Sequence, residues 1–227
     1  MKPAADRIAA NNMLKKYLAE FIGTYALVFC GTGAVVIDQV SKGGVTHVGI
    51  AITFGLIVTC MIYAFGDISG AHLNPAVSIA FSAARLFPAR QVLPYIISQV
   101  AGALLASFTL KILFPSNGFL GATLPAGSAW QSFILEVILT FFLMLTILRV
   151  STGSKEQGII AGIVVGAVVL LEAMFAGPIS GASMNPARSL APAVVSGHTE
   201  FIWVYLSAPV MGATAAIPAW KCFASKN

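Results

Sequence analysis

The chain has 227 residues, of which 58% are hydrophobic and only 9% charged, with a mean hydropathy of +0.89. A soluble domain is usually about a quarter charged, so this composition excludes a soluble globular enzyme and places the chain in a bilayer. The formal net charge of +5 sits on lysines and arginines scattered at the ends of apolar runs, which leaves no basic soluble domain to bind nucleic acid.

A membrane span needs roughly 20 apolar residues, and runs of that size are read at 16–37, 48–66, 91–113, 129–150, 158–176 and 201–220. The first run follows Lys2, Arg7, Lys15 and Lys16 but lacks a small-residue cleavage site after a short apolar core, so it is expected to stay as a span. It holds Ala19-Glu20-Phe21. Between the second and third spans lies Ser69-Gly70-Ala71-His72-Leu73-Asn74-Pro75-Ala76, and an apolar run too short to cross begins at Pro75. The fourth span holds Glu136. Between the fifth and sixth, the pattern returns as Ser180-Gly181-Ala182-Ser183-Met184-Asn185-Pro186-Ala187, with a second short run from Pro186. Asn followed by Pro is a helix start, since Asn caps exposed amides and Pro fits the first helical position, where no donor is needed.

Each half therefore reads span, span, re-entrant helix, span. Three spans is an odd number, so the second copy enters the membrane upside down, related to the first by a pseudo-two-fold axis in the membrane plane. The expected fold class is an all-α membrane protein of six transmembrane helices plus two re-entrant half-helices, one domain over 1–227 with inverted halves at about 13–115 and 127–222. The N-termini of the two short helices then meet near the midplane.

Basic residues favour the cytoplasmic side. In a six-span topology Lys2, Arg7, Lys15, Lys16, Arg85, Arg90, Arg149, Lys155, Lys221 and Lys226 fall on one side, and only Lys42, Lys111 and Arg188 fall toward the other. Both termini are expected in the cytoplasm. Short termini without a sorting sequence favour a bacterial plasma (inner) membrane over a eukaryotic one.

Each half-helix concentrates about half a positive charge at its N-terminus, and irregular backbone at that depth is tolerated only where it lines a watery cavity or is buried in protein. Asn74 and Asn185 are thus candidates for the centre of a pore, their amides donating to passing oxygens while the positive helix ends oppose cations. Arg188 follows the second motif at a depth where Arg faces a cavity or a partner. His72, two residues before Asn74, borders the pore on its cytoplasmic side, as a gate or as a neutral lining group. An intramembrane acid is a functional candidate. Glu172 is assigned to loop backbone, a neighbouring protomer or the outer vestibule, among which the sequence does not choose. His47 and His198 fall at outer ends with no partner at metal-ligand spacing, so no metal is expected. Cys30, Cys60 and Cys222 do not form a disulfide framework. Gly158, Gly162 and Gly166 recur every four residues in the fifth span as a smooth packing face, and Trp130 and Trp203 are placed at the outer interface. No His-Glu-x-x-His or Gly-x-Ser-x-Gly is present, so no enzyme and no catalytic residue is expected.

The elements Ala19 to Thr24, Ser69 to Val77 and Ser180 to Ser189 resemble those of the aquaporin or major intrinsic protein family over nearly the whole chain. The resemblance implies a pore in each protomer of a homotetramer in a lipid bilayer, no cofactor, and passage of water and small neutral solutes with exclusion of protons and ions. It implies an outer selectivity constriction of Phe54, Ala173, Ala182 and Arg188, and a loop-supporting role for Glu20 and Glu136. Strict water channels of the family usually carry His where Ala173 stands, and glycerol channels usually carry Trp at Phe54 and Asp at Ser189. Ser189, Ala193, Tyr205-Leu206 and the Ala176-Gly177-Pro178 run are similar to the nodulin-like subgroup, whose solutes include glycerol, urea and neutral metalloid hydroxides. A strict water channel and an inverted-repeat secondary transporter are the alternatives.

Overall fold

A chain in hydrocarbon must satisfy its own backbone groups, and helices do so within one segment. The computed structural model describes residues 4–223, apart from the side chains of 4–10, 156 and 157. Lys2 and Lys226 therefore lie outside the described residues, as does the side chain of Arg7. The helices are α1 (Ala4–Val40), α2 (Thr46–Ser69), α3 (Pro75–Ala83), α4 (Ala89–Leu113), α5 (Ala129–Ser151), α6 (Lys155–Ile159), α7 (Ala161–Ser180), α8 (Pro186–Ser196) and α9 (Ile202–Phe223). Helices α1 (from Asn11), α2, α4, α5, α7 and α9 are long and apolar enough to cross a membrane. Helices α3 and α8 are the two short ones expected after the Asn-Pro-Ala motifs, and no strand occurs among the described residues.

The halves pack alike. Helix α1 lies against α4 and α5 against α9, and α2 crosses α7 at the centre. The α1/α4 contact is close because Gly102 faces the Phe21 carbonyl, and the α5/α9 contact is close because Gly212 faces the Val137 carbonyl. At the α2/α7 crossing, Gly55 faces the Gly166 carbonyl and Leu170, while Gly166 faces Thr59. Small residues allow such approach where lipid provides no hydrophobic drive.

The fifth span differs from the expected 158–176. Ile160 leaves helical geometry (φ −95°, ψ 3°), so the span starts at Ala161 and residues 155–159 form a separate turn of helix. Its far end runs through Ala176-Gly177-Pro178 and stops at Gly181, whose left-handed φ of 83° closes the helix. Pro178 lies inside the last turn. Gly158 consequently falls outside the span, and a Cβ there would meet nothing within 4 Å. The packing face consists of Gly162, beneath the Tyr63 ring, and Gly166. Trp130 and Trp203 are both exposed and meet edge to face at 5.6 Å, as amphipathic rings at a membrane interface do.

Overpacking a tight helix contact costs roughly 1–3 kcal/mol, so Gly102→Ala and Gly212→Ala should each lower the thermal midpoint of the detergent-solubilised protein. Gly158→Ala, with open space around it, should leave the midpoint unchanged.

Candidate functional site

The two Ser-Gly-Ala loops adopt one backbone path. Gly70 and Gly181 are left-handed at φ 87° and 83°, and they are followed by left-handed Ala71 (45°) and Leu73 (51°) in one loop, Ala182 (41°) and Met184 (53°) in the other. Positive φ is costly for residues with a Cβ, so something must hold these loops. In the first loop Glu20 Oε1 accepts from Ser69 Oγ (2.7 Å) and the His72 amide (2.9 Å), while Oε2 accepts from the Leu73 amide (2.7 Å). In the second, Glu136 Oε1 accepts from Ser180 Oγ and the Ser183 amide (both 2.8 Å), while Oε2 accepts from the Met184 amide (2.7 Å). Both glutamates are fully buried. Tyr95 donates to the Ser69 carbonyl and Tyr205 to the Ser180 carbonyl, each at 2.8 Å.

Each loop ends in extended Asn. Asn74 Oδ1 accepts from the Ala76 amide (2.9 Å), and Asn185 Oδ1 accepts from the Ala187 (3.0 Å) and Arg188 (3.3 Å) amides, with Pro75 and Pro186 at the first helical position. The side-chain amides cross over. Asn74 Nδ2 donates to the Met184 carbonyl and Asn185 Nδ2 to the Leu73 carbonyl, both at 2.8 Å. Each amide group has two hydrogens, so one is spent on the opposite loop and one remains.

A continuous cavity of about 910 Å³, open mouths included, runs past this point. Asn74 and Asn185 line it. Phe54, Ala173, Ala182 and Arg188 also line it, as do His72, Phe81, Ile147 and Val150. The Arg188 guanidinium lies 5.0 Å over the Phe54 ring, within cation–π range, and its Nη1 donates to the Gly121 carbonyl at 2.9 Å. Arg188 is 4% exposed, and its Nε has no hydrogen-bond partner among the described groups. His72 packs among Phe81, Phe87 and Tyr95 and its Nδ1 lies 3.0 Å from Ser78 Oγ.

Glu172 does not line this cavity. It is 9% exposed, and its Oε2 has no hydrogen-bond partner among the described groups. No set of three or more His, Cys, Asp or Glu side chains that could hold a metal is found among the described residues.

Several contributors escaped the sequence reading. Gln99 Nε2 donates to Glu20 Oε2 (2.8 Å) and to Ser78 Oγ (3.0 Å). Thr123 Oγ1 donates to Ser189 Oγ (2.7 Å), which lies 2.5 Å from Ser183 Oγ. Gly31 leaves the space that the Phe54 ring fills, and Gly121 offers its carbonyl from a left-handed turn (φ 71°). The one available signal was the repeat itself, which places a Tyr in the last long span of each half; the loop carrying Gly121 and Thr123 has no counterpart to signal it.

A model of the major intrinsic protein family matches residues 7–220. The chain is 51% identical to "Aquaporin NIP1-1" of Oryza sativa subsp. japonica over 215 residues, 94% of this chain and 76% of that one. It is 46% identical to "Nodulin-26" of Glycine max over 217 residues, 95% of this chain and 79% of that one. Among solved structures it is similar to the X-ray structure of the aquaglyceroporin from Plasmodium falciparum, with a TM-score of 0.83, 26% identity, and coverage of 93% of this chain and 96% of that one.

Glu136→Gln should destabilise the protein by about 1–3 kcal/mol, because the new amide presents hydrogens to a backbone donor that has no other acceptor. Glu20→Gln should cost less in the same thermal or denaturant titration, because the unpartnered Oε1 of Gln99 can turn to accept from the new amide.

Proposed function

The chain belongs to the major intrinsic protein family, a family of membrane channels and not of enzymes, and we propose that it is a passive channel for water and small uncharged solutes that excludes protons and ions. Glycerol and urea are the first solutes in the proposed range, with neutral metalloid hydroxides such as boric or arsenous acid beyond them. The observation that supports this reading is the lining of the cavity, which includes the Phe54 ring with Arg188 over it and the two methyl groups of Ala173 and Ala182. An aromatic wall accepts the carbon side of a polyol, an Arg donates to its oxygens, and Ala in place of a larger side chain leaves width.

Asn74 and Asn185 are assigned the centre. A water there receives the one free hydrogen of each amide, its lone pairs are occupied, and its own hydrogens point away to both sides. The water chain reverses polarity at that point, which opposes proton hopping, and the positive ends of α3 and α8 together with Arg188 oppose cations. Glu20 and Glu136 hold the loops that place both asparagines, and His72 lines the cavity among its aromatic neighbours. No cofactor takes part.

The same reading places the chain in the plasma or inner membrane with both termini in the cytoplasm, supported by the basic residues Lys15, Lys16, Arg85, Arg90, Arg149, Lys155 and Lys221 at one set of helix ends. It also has the chain assemble as a homotetramer of separate pores.

Stopped-flow light scattering on proteoliposomes tests the proposal: fast shrinkage in an impermeant osmolyte and accelerated re-swelling in inward glycerol or urea gradients are expected. Fast shrinkage without re-entry would make it a strict water channel. Ala173→His should lower glycerol permeability about tenfold, a barrier change of roughly 1.4 kcal/mol, with a smaller loss for water. Arg188→Val should admit a measurable cation or proton leak, read as dissipation of a pH or potassium gradient.

A further inference from the structure

Pro178 creates an unfilled acceptor beside the constriction. It lies inside α7, and having no amide hydrogen it cannot donate to the carbonyl four residues earlier, which belongs to Met174. A backbone carbonyl left without a donor at membrane depth is costly, and a proline in a spanning helix is tolerated when a neighbour supplies what it removes. In the first half Asp67, which stands three residues before Gly70 as Pro178 stands before Gly181, has its amide, so only the second half has this gap.

The gap is filled by His47. Its Nε2 lies 2.7 Å from the Met174 carbonyl oxygen, and since a carbonyl only accepts, the ring carries its proton on Nε2. The ring fits because residue 177 is Gly, where a Cβ would press on His47 Cε1. His47 is itself fixed from behind, because Asp38 Oδ1 accepts from the Val45 (3.1 Å) and Thr46 (2.7 Å) amides at the start of α2.

Both ends of this bond lead to the constriction. Met174 follows Ala173 directly, and Phe54 lies two helical turns beyond His47 on α2. Further along the same seam Thr59 Oγ1 donates to the Gly162 carbonyl (3.2 Å) and Tyr63 OH to the Ile159 carbonyl (3.0 Å). His47 is the rung of that ladder at the constriction end.

We propose that His47 is a positioning residue that sets the spacing between Phe54 and Ala173 by donating to the carbonyl that Pro178 leaves open. The proposal rests on the channel reading above for its transport readout, and on the bond alone for its stability readout. Four proteins are compared in proteoliposomes and by thermal melting in detergent: wild type, His47→Phe, Pro178→Ala and the double variant. His47→Phe keeps a ring but cannot donate, and it should change the glycerol-to-water permeability ratio by about threefold, the scale of one interhelical hydrogen bond in a membrane, and lower the melting midpoint. Pro178→Ala restores an amide to Met174, so in that background His47→Phe should change neither quantity. His47→Gln, which can still donate, should lie closer to wild type than His47→Phe. Equal effects of His47→Phe in both backgrounds, or no effect in either, would overturn the proposal. If wild type conducts neither water nor glycerol, the channel reading fails, and the melting cycle alone decides whether His47 serves Pro178.

Discussion

Non-helical backbone at membrane depth has to find hydrogen-bond partners without water, and the rest of this structure depends on how that is done. Two side chains do most of it. Glu20 and Glu136 each take two successive loop amides and a serine hydroxyl, and a carboxylate suits the task because it accepts at both oxygens and donates nothing. Without it, the left-handed residues of each loop would lack the bonds that hold them and neither Asn would be aimed. Burying a charged group is expensive unless it is hydrogen-bonded, which is why each acid is surrounded by donors and each loop begins with Ser.

On this symmetric frame the chemistry lies where the halves differ. Val77 and Arg188 occupy matching places after Asn-Pro-Ala, yet only the second carries charge, and it lies over an aromatic ring, that of Phe54. Ser78 is bonded to Gln99 and His72, whereas Ser189 is bonded to Thr123 and Ser183. The same scaffold thus presents an aromatic-lined histidine at one end of the cavity and an arginine with a hydroxyl cluster beneath it at the other. Duplication supplies the geometry, and substitution at matched positions supplies direction.

The architecture was legible in the sequence because its determinants are local: apolar runs of spanning length, and an Asn-Pro start that needs no long-range information. The repeat made the inversion a matter of counting. Contributions fixed by distant backbone were less legible. Gly121 reaches Arg188 through its carbonyl, which any residue has, and Gln99 looks like one more polar residue in an apolar span. The fifth span begins and ends a few residues later than about 158–176, because Ile160 has no breaker chemistry to mark its start and Pro178, ordinarily a stop, is accommodated by a histidine more than a hundred residues earlier in the chain. The positions proposed for the constriction came from resemblance, and their meeting in one cavity reflects the packing of α2 against α7, which periodicity alone does not locate.

The crossed amides of Asn74 and Asn185 have a mechanical meaning as well. Each is bonded to the residue that precedes the other, so the two loops form a closed clasp, and neither half-helix can withdraw without unfastening its counterpart. Such a clasp joins two separately inserted segments at their tips. Loosening either loop therefore costs a bond in the other, which couples the two half-helices across the inverted repeat.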